Sequence, residues 1–141
     1  MLMPILQRPR QAQVAALCYQ QTKSGKRVLL ITSRGTGRWI LPKGWPIEGK
    51  DGPGSALQEA WEEAGVAEAR MDPAPLGSYR YDKGLKDGEH IPIETTVYQA
   101  QVDSLEPTYP EAHQRSRKWF PPQEAAELVD EPQLKAILKA F

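Results

Sequence analysis

Cysteine is almost absent from this chain. Cys18 is the single one in 141 residues, so neither an intrachain disulfide nor a cysteine-built zinc site is available. Net charge is missing too, because 18 Lys and Arg balance 18 Asp and Glu. That excludes a global attraction to duplex nucleic acid or to an anionic membrane, and charge-driven binding must come from local segregation. No apolar run approaches the roughly 18 residues that crossing a bilayer requires. Arg8 and Arg10 follow the only early apolar residues instead of preceding them, the reverse of a secretory signal. With one cysteine and no leader pattern, the expected compartment is the cytoplasm. Histidine is scarce: His90 and His113 lie in separate polar stretches without ligand spacing, and both read as solvated. There is no internal repeat and no low-complexity tract.

Proline and glycine, by contrast, are plentiful. The 13 prolines and 11 glycines are spread along the chain, so they punctuate one loop-rich domain over 1–141 instead of marking a linker. Val14 to Tyr19 and Arg27 to Thr32 are apolar runs joined by the turn Q-T-K-S-G-K, the sequence form of a β-hairpin. Neither run alternates, which predicts strands buried on both faces. Trp39 to Pro42 reads as a short extended piece, and Lys43 to Gly54 as an irregular loop. A helix is predicted over Pro53 to Ala64. Proline suits its first turn, Gly65 suits the left-handed position past its end, and Ala56, Leu57, Ala60, Trp61 and Ala64 supply an apolar side. Leu76 to Asp82, Ile91 to Val102 and Ser116 to Phe120 read as strands. Gln123 to Val129 and Gln133 to Ala140 read as short helices. Mixed strands with few helices predict an α/β sandwich around one sheet.

The chemistry is expected on the helix over Pro53 to Ala64. Glu59, Glu62 and Glu63 stand at i, i+3 and i+4 and share a face, while no Lys or Arg occurs from Gly52 to Val66. Like charges at this spacing cost about as much as Glu–Lys pairs gain, about 0.2–0.5 kcal/mol each. Clustered carboxylate oxygens are what a hard divalent cation such as Mg²⁺ requires. The competing reading is a merely solvated acidic face.

The stretch from Gly44 to Val66 reads G-W-P-I-E-G-K-D-G-P-G-S-A-L-Q-E-A-W-E-E-A-G-V. It resembles the Nudix box, G-x5-E-x7-R-E-U-x-E-E-x-G-U, with Gly44, Glu59, Glu62, Glu63, Gly65 and Val66 in matching positions and no gap. The flanking W-I-L-P-K-G-W-P and R-K-W-F-P-P-Q-E-A-A are similar to segments of the same family, so the resemblance runs from about Val14 to the C-terminus. Lys50 stands where the motif has its loop glutamate, Gln58 where it has an arginine that orients the following glutamate, and Ala60 at a bulky apolar position.

The resemblance implies a Nudix-type α/β/α sandwich with a mixed sheet and a loop–helix–loop catalytic motif. It implies an Mg²⁺- or Mn²⁺-dependent hydrolase that cleaves a diphosphate linkage. The substrate would be a nucleoside diphosphate joined to a further group, a dinucleoside polyphosphate or a diphosphoinositol polyphosphate. Glu59, Glu62 and Glu63, with the Gly44 carbonyl, would hold the metal, and one of them, Glu94 or Glu111 would take the proton. The alternative is a ligand-binding or regulatory module in which Lys50 and Gln58 have weakened or abolished catalysis. Arg34, Arg38, Lys43 and Lys50 face only Glu48 in their stretch, a local excess of three positive charges. Arg34, Arg38 and Lys43 are therefore candidate substrate cations, a polyanion cradle against solvated loop charges as the plain reading. Arg115, Arg117 and Lys118 form a second basic cluster; Arg80, Lys83 and Lys86 are offset by Asp82, Asp87 and Glu89. Trp39, Trp45, Trp61 and Trp119 could stack on a base; Trp61 on the helix and Trp119 in a strand read as core, and Trp45, in the glycine-rich loop, is the better-exposed candidate. The expected partner is a small phosphorylated molecule, with the protein a monomer or homodimer.

Overall fold

Gln11–Thr22 (β1) and Gly25–Thr32 (β2) form the expected hairpin, with Tyr19 opposite Val28 and Thr22 opposite Gly25, which takes φ 110° at the turn. This computed structural model describes residues 10–141, so the leader reading that involves Arg8 lies outside the described residues. Both strands are apolar on both sides for a visible reason. Alternation sends Ala15, Leu17, Val28 and Leu30 into one core, and Val14, Ala16, Cys18, Leu29 and Ile31 into another. The first core is roofed by two helices, α2 (Pro122–Leu128) and α3 (Pro132–Ala140), through Ala125, Ala126, Leu134 and Leu138. The second is roofed by α1 (Gly52–Ala64), whose Ala56, Ala60 and Ala64 are fully buried. Three small side chains on one stripe let α1 lie close to the sheet. The result is the α/β/α sandwich expected of a Nudix-type chain.

The remaining strands are β3 (Trp39–Ile40), β4 (Lys43–Gly44), β5 (Val66–Met71), β6 (Gly77–Gly84), β7 (His90–Leu105) and β8 (Arg117–Phe120). The main path runs β3-β2-β1-β7-β5, with β4 on β1, β6 on β7 and β8 on β2. β1 and β7 run parallel and every other pair is antiparallel, which makes the sheet mixed. Two elements depart from the sequence reading. β4 lies inside the predicted loop and places Gly44 opposite Val14 and Lys43 opposite Ala15. β5 was not predicted, because register shifts between Val66 and Ala69 break the period of two that would have announced it. β1 also extends beyond its apolar run, since polar Gln11 and Gln21 still find backbone partners on β7 and β2.

α1 is fixed at both ends. Asp51 accepts a hydrogen bond from the Gly54 N–H at 2.7 Å, and Gly65 closes the helix at φ 72°. Arg117 Nη1 then donates to the Ala64 and Glu106 carbonyls at 2.8 and 2.9 Å, supplying a cation at the negative end of the helix. Among the described residues, no helix is long and apolar enough to cross a membrane.

Candidate active site

β4 and α1 bring the two ends of the motif together. A cleft of about 620 Å³ opens there, lined by Lys43, Gly44 and Trp45 on one side and by Glu59 and Glu63 of α1 on another. Arg34, Tyr81, Lys83, Glu111 and Arg115 also line it, with Gln13 of β1. Gly44 is pressed against Glu59: a methyl group added to it would stand no more than 2.8 Å from the Glu59 Cδ and both carboxyl oxygens.

Glu59 and Glu63 are one helical turn apart and hydrogen-bond to each other. Burial, then the contact with Glu63, pushes the Glu59 carboxyl up to about 8. Burial also raises Glu63, opposed by the contacts with Glu59, Arg115 and Lys43. Glu63 Oε1 receives the Lys43 backbone N–H at 3.3 Å and lies 3.7 Å from Arg115 Nη2. Two carboxyl groups in contact cannot both ionise cheaply, which favours protonation of one of them. A divalent cation relieves the same repulsion, so the pair beside the Gly44 backbone is a donor set suited to Mg²⁺ or Mn²⁺. Among the described residues, no three His, Cys, Asp or Glu side chains converge into a fuller cluster.

Glu62 is the expected third member, and it stands aside. Its Oε1 accepts from Gln58 Nε2 at 3.2 Å, and its backbone carbonyl accepts the Glu111 N–H at 2.9 Å. Consecutive helical residues are turned about 100° from each other, so with Glu63 in the cleft Glu62 falls on its edge. Lys50 is exposed and contributes nothing to the cleft lining.

The cations divide in the same way. Arg34 lines the cleft and donates to Gln114 Oε1 at 3.0 Å, with Glu111 Oε1 at 3.8 Å. Lys43 lines it with its Nζ 5.3 Å from the centre of the Tyr81 ring; burial pulls the ammonium down to about 8, against the attraction of Glu63. Tyr81 in turn donates its hydroxyl to Gln13 Oε1. Arg38 does not line the cleft. It is spent on Glu131 Oε2 at 3.0 Å, a carboxylate only 6% exposed at the start of α3, with Asp130 at 3.8 Å. Arg38→Ala would therefore strand a buried charge. The expected outcome is a loss of about 3 kcal/mol of stability in denaturant melts, with KM for any substrate within about twofold of the parent.

Of the two outside carboxylates, Glu111 is in the cleft, held by Arg115 Nε at 3.0 Å. Glu94 is paired with Arg80 at 3.1 Å and does not line the cleft. Trp45 is 41% exposed and lines the cleft, whereas Trp39 packs edge-on against Phe120 and Trp119 lies under Arg27. His90 and His113 are exposed and outside the lining. Cys18 is fully buried, its thiol pushed up to about 12. Gln13, Tyr81 and Lys83 were not anticipated as lining residues. The signal for two of them was the alternation of β6, which puts Tyr79, Tyr81 and Lys83 on one face and Arg80 and Asp82 on the other.

The family model for the NUDIX domain matches residues 9–141. Nudix hydrolase 16, mitochondrial, of Arabidopsis thaliana is 32% identical over 126 residues, covering 85% of this chain and 69% of that protein. Diphosphoinositol polyphosphate phosphohydrolase 3-beta of Bos taurus is 27% identical over 119 residues, covering 83% of this chain and 68% of that one. The chain thus spans about two thirds of these relatives. The crystal structure of the C. elegans Ap4A hydrolase shares the fold, with a TM-score of 0.67 at 18% identity over 94% of this chain and 96% of that one. A domain match over nearly every residue, together with this identity to a relative, makes the chain a member of the Nudix hydrolase family.

Proposed function

We propose that this chain hydrolyses a diphosphate linkage in a highly charged small molecule, a dinucleoside polyphosphate or a diphosphoinositol polyphosphate, with a divalent cation held by Glu59, Glu63 and the Gly44 carbonyl. The observation that carries this is the hydrogen-bonded Glu59–Glu63 pair set against Gly44 inside a cleft that Arg34 and Lys43 also line. The names of the Bos taurus and C. elegans relatives agree with that substrate class. When bound, the cation neutralises charge on the phosphate oxygens and makes water easier to ionise.

The protein's own residues do the rest. Arg34 and Lys43 hold non-reacting phosphate oxygens, and Trp45 offers a face to a base or to the edge of a ring. Glu111, fixed by Arg115, takes the proton of the attacking water as its oxygen bonds to phosphorus and the bridging P–O bond breaks. Glu62 supports this from outside, through its carbonyl on the Glu111 N–H. A panel of diphosphate substrates with Mg²⁺ or Mn²⁺ tests the reading directly. Turnover abolished by EDTA is the expected result; bound but unchanged ligand across the panel would make the chain a binding module instead.

Lys50 and Gln58 are the observations that favour that second reading, since neither brings a cation to the α1 carboxylates or an acid to the loop. Lys50→Glu combined with Gln58→Arg is expected to raise kcat/KM by about tenfold, roughly 1.4 kcal/mol of transition-state stabilisation. Each single change does less, because it introduces one charge without its partner. A double variant no faster than the parent would show that the Gln58–Glu62 hydrogen bond already suffices.

A further inference from the structure

α1 carries its carboxylates to the cleft without a cation of its own, as no Lys or Arg lies from Gly52 to Val66. The guanidinium that meets them arrives from the connection between β7 and β8. The Arg115 side chain is only 8% exposed, and it uses three nitrogens on three parts of the fold. Nη1 donates to the Thr32 carbonyl at 3.1 Å, Nε donates to Glu111 Oε1 at 3.0 Å, and Nη2 lies 3.7 Å from Glu63 Oε1. A guanidinium is planar, so anchoring one nitrogen on the β2 backbone sets the direction of the other two. Glu63 Oε1 also accepts the Lys43 N–H at 3.3 Å.

Anchoring the connection does not require this side chain. The Glu111 N–H already binds the Glu62 carbonyl at 2.9 Å, and the Ser116 N–H binds Thr32 Oγ1 at 2.9 Å. The Thr32 N–H adds a bond to the Ser116 carbonyl at 3.0 Å. What Arg115 adds to these is a fixed relation between a carboxylate on α1 and one on the connection. We propose that Arg115 is a positioning residue that locks Glu63 and Glu111 relative to each other, as the cation-binding and the proton-accepting carboxylates of the cleft. This rests on the function proposed above.

The test compares wild type, Arg115→Ala and Arg115→Lys, with Mn²⁺ titrated calorimetrically and diadenosine tetraphosphate as substrate. Partners that orient metal ligands typically matter by about 10–100-fold, so both variants are expected to weaken Mn²⁺ binding and lower kcat by about tenfold or more. KM stays within about threefold, because the substrate is not what Arg115 holds. Lysine fails as a replacement because its point charge cannot serve three acceptors in a plane. Free guanidinium at millimolar concentration restores part of kcat to Arg115→Ala, which loss of a structural prop would not allow.

A folded Arg115→Ala with wild-type Mn²⁺ affinity and kcat overturns the proposal, as does an effect confined to KM. If Arg115→Ala does not fold, Arg115→Lys decides by the same two quantities. A wild type that neither binds Mn²⁺ nor hydrolyses any diphosphate sinks the functional reading and this proposal with it, whereas a failure of the variants alone leaves that reading standing.

Discussion

Glu59→Gln is expected to lower kcat/KM by about a hundredfold, roughly 2.7 kcal/mol, and in the same stroke to make the metal-free protein harder to unfold at pH 8. The first effect follows from removing one of two carboxylates that face the cleft beside Gly44. The second follows from linkage. Burial and Glu63 raise the Glu59 carboxyl from 4.5 to about 8 in the folded protein. Between those values the folded state keeps a proton that the unfolded chain has released. Stability is therefore fully present below about pH 4.5 and is lost as pH rises through about 8. Glutamine has no such proton to lose. Glu59 is partly open to water, so solvent screening reduces the size of the effect without changing its sign. Thermal melts at pH 5 and pH 8, with and without Mn²⁺, provide the check. The variant should melt above the wild type at pH 8 without metal, the difference should shrink at pH 5, and Mn²⁺ should raise Tm for the wild type alone. A variant that melts lower than the wild type at pH 8 without metal would show that Glu59 is not the strained member of the pair.

Gly44→Ala is expected to fold and to lose activity by about tenfold to a hundredfold, in kcat more than in KM. Gly44 does not need a positive φ, and its pairing with Val14 in β4 accommodates any L residue. The three atoms nearest the added methyl group are all in the Glu59 carboxyl, the far end of a flexible side chain. The fold yields by turning that carboxyl away, which separates it from Glu63 and from the cation position. Gly84→Ala is the control, since its methyl group would meet only the His90 ring at 3.8 Å. The measurements are Tm, Mn²⁺ affinity and steady-state kinetics on one substrate. A Gly44→Ala protein with unchanged Mn²⁺ affinity would mean that the cation sits elsewhere on α1.

The amino-acid sequence by itself determined the features that depend on neighbours along the chain. The apolar runs of β1 and β2 announced strands covered on both faces, and those faces are the two cores. Pro53, Gly65 and the alanine spacing announced α1 to within one residue. The same local logic did not extend to β5, where a bulge broke the alternation. It also could not rank groups of one charge. Arg34 and Arg38 are equivalent in a count of loop cations, yet Arg38 is taken by Glu131, 93 positions away, while Arg34 is left at the cleft. Glu62 and Glu63 share a face by spacing, but the sheet beneath α1 decides which part of that arc looks inward. Glu94 and Glu111 were indistinguishable until β6 supplied Arg80 to one and the cleft received the other. Arg115 belonged to a basic cluster in the sequence; only packing separates it from Arg117, which clamps the end of α1 instead. Spacing along a chain sets backbone geometry over a few residues. The work a charge does is set by the opposite charge nearest in space, and tertiary structure alone chooses that neighbour.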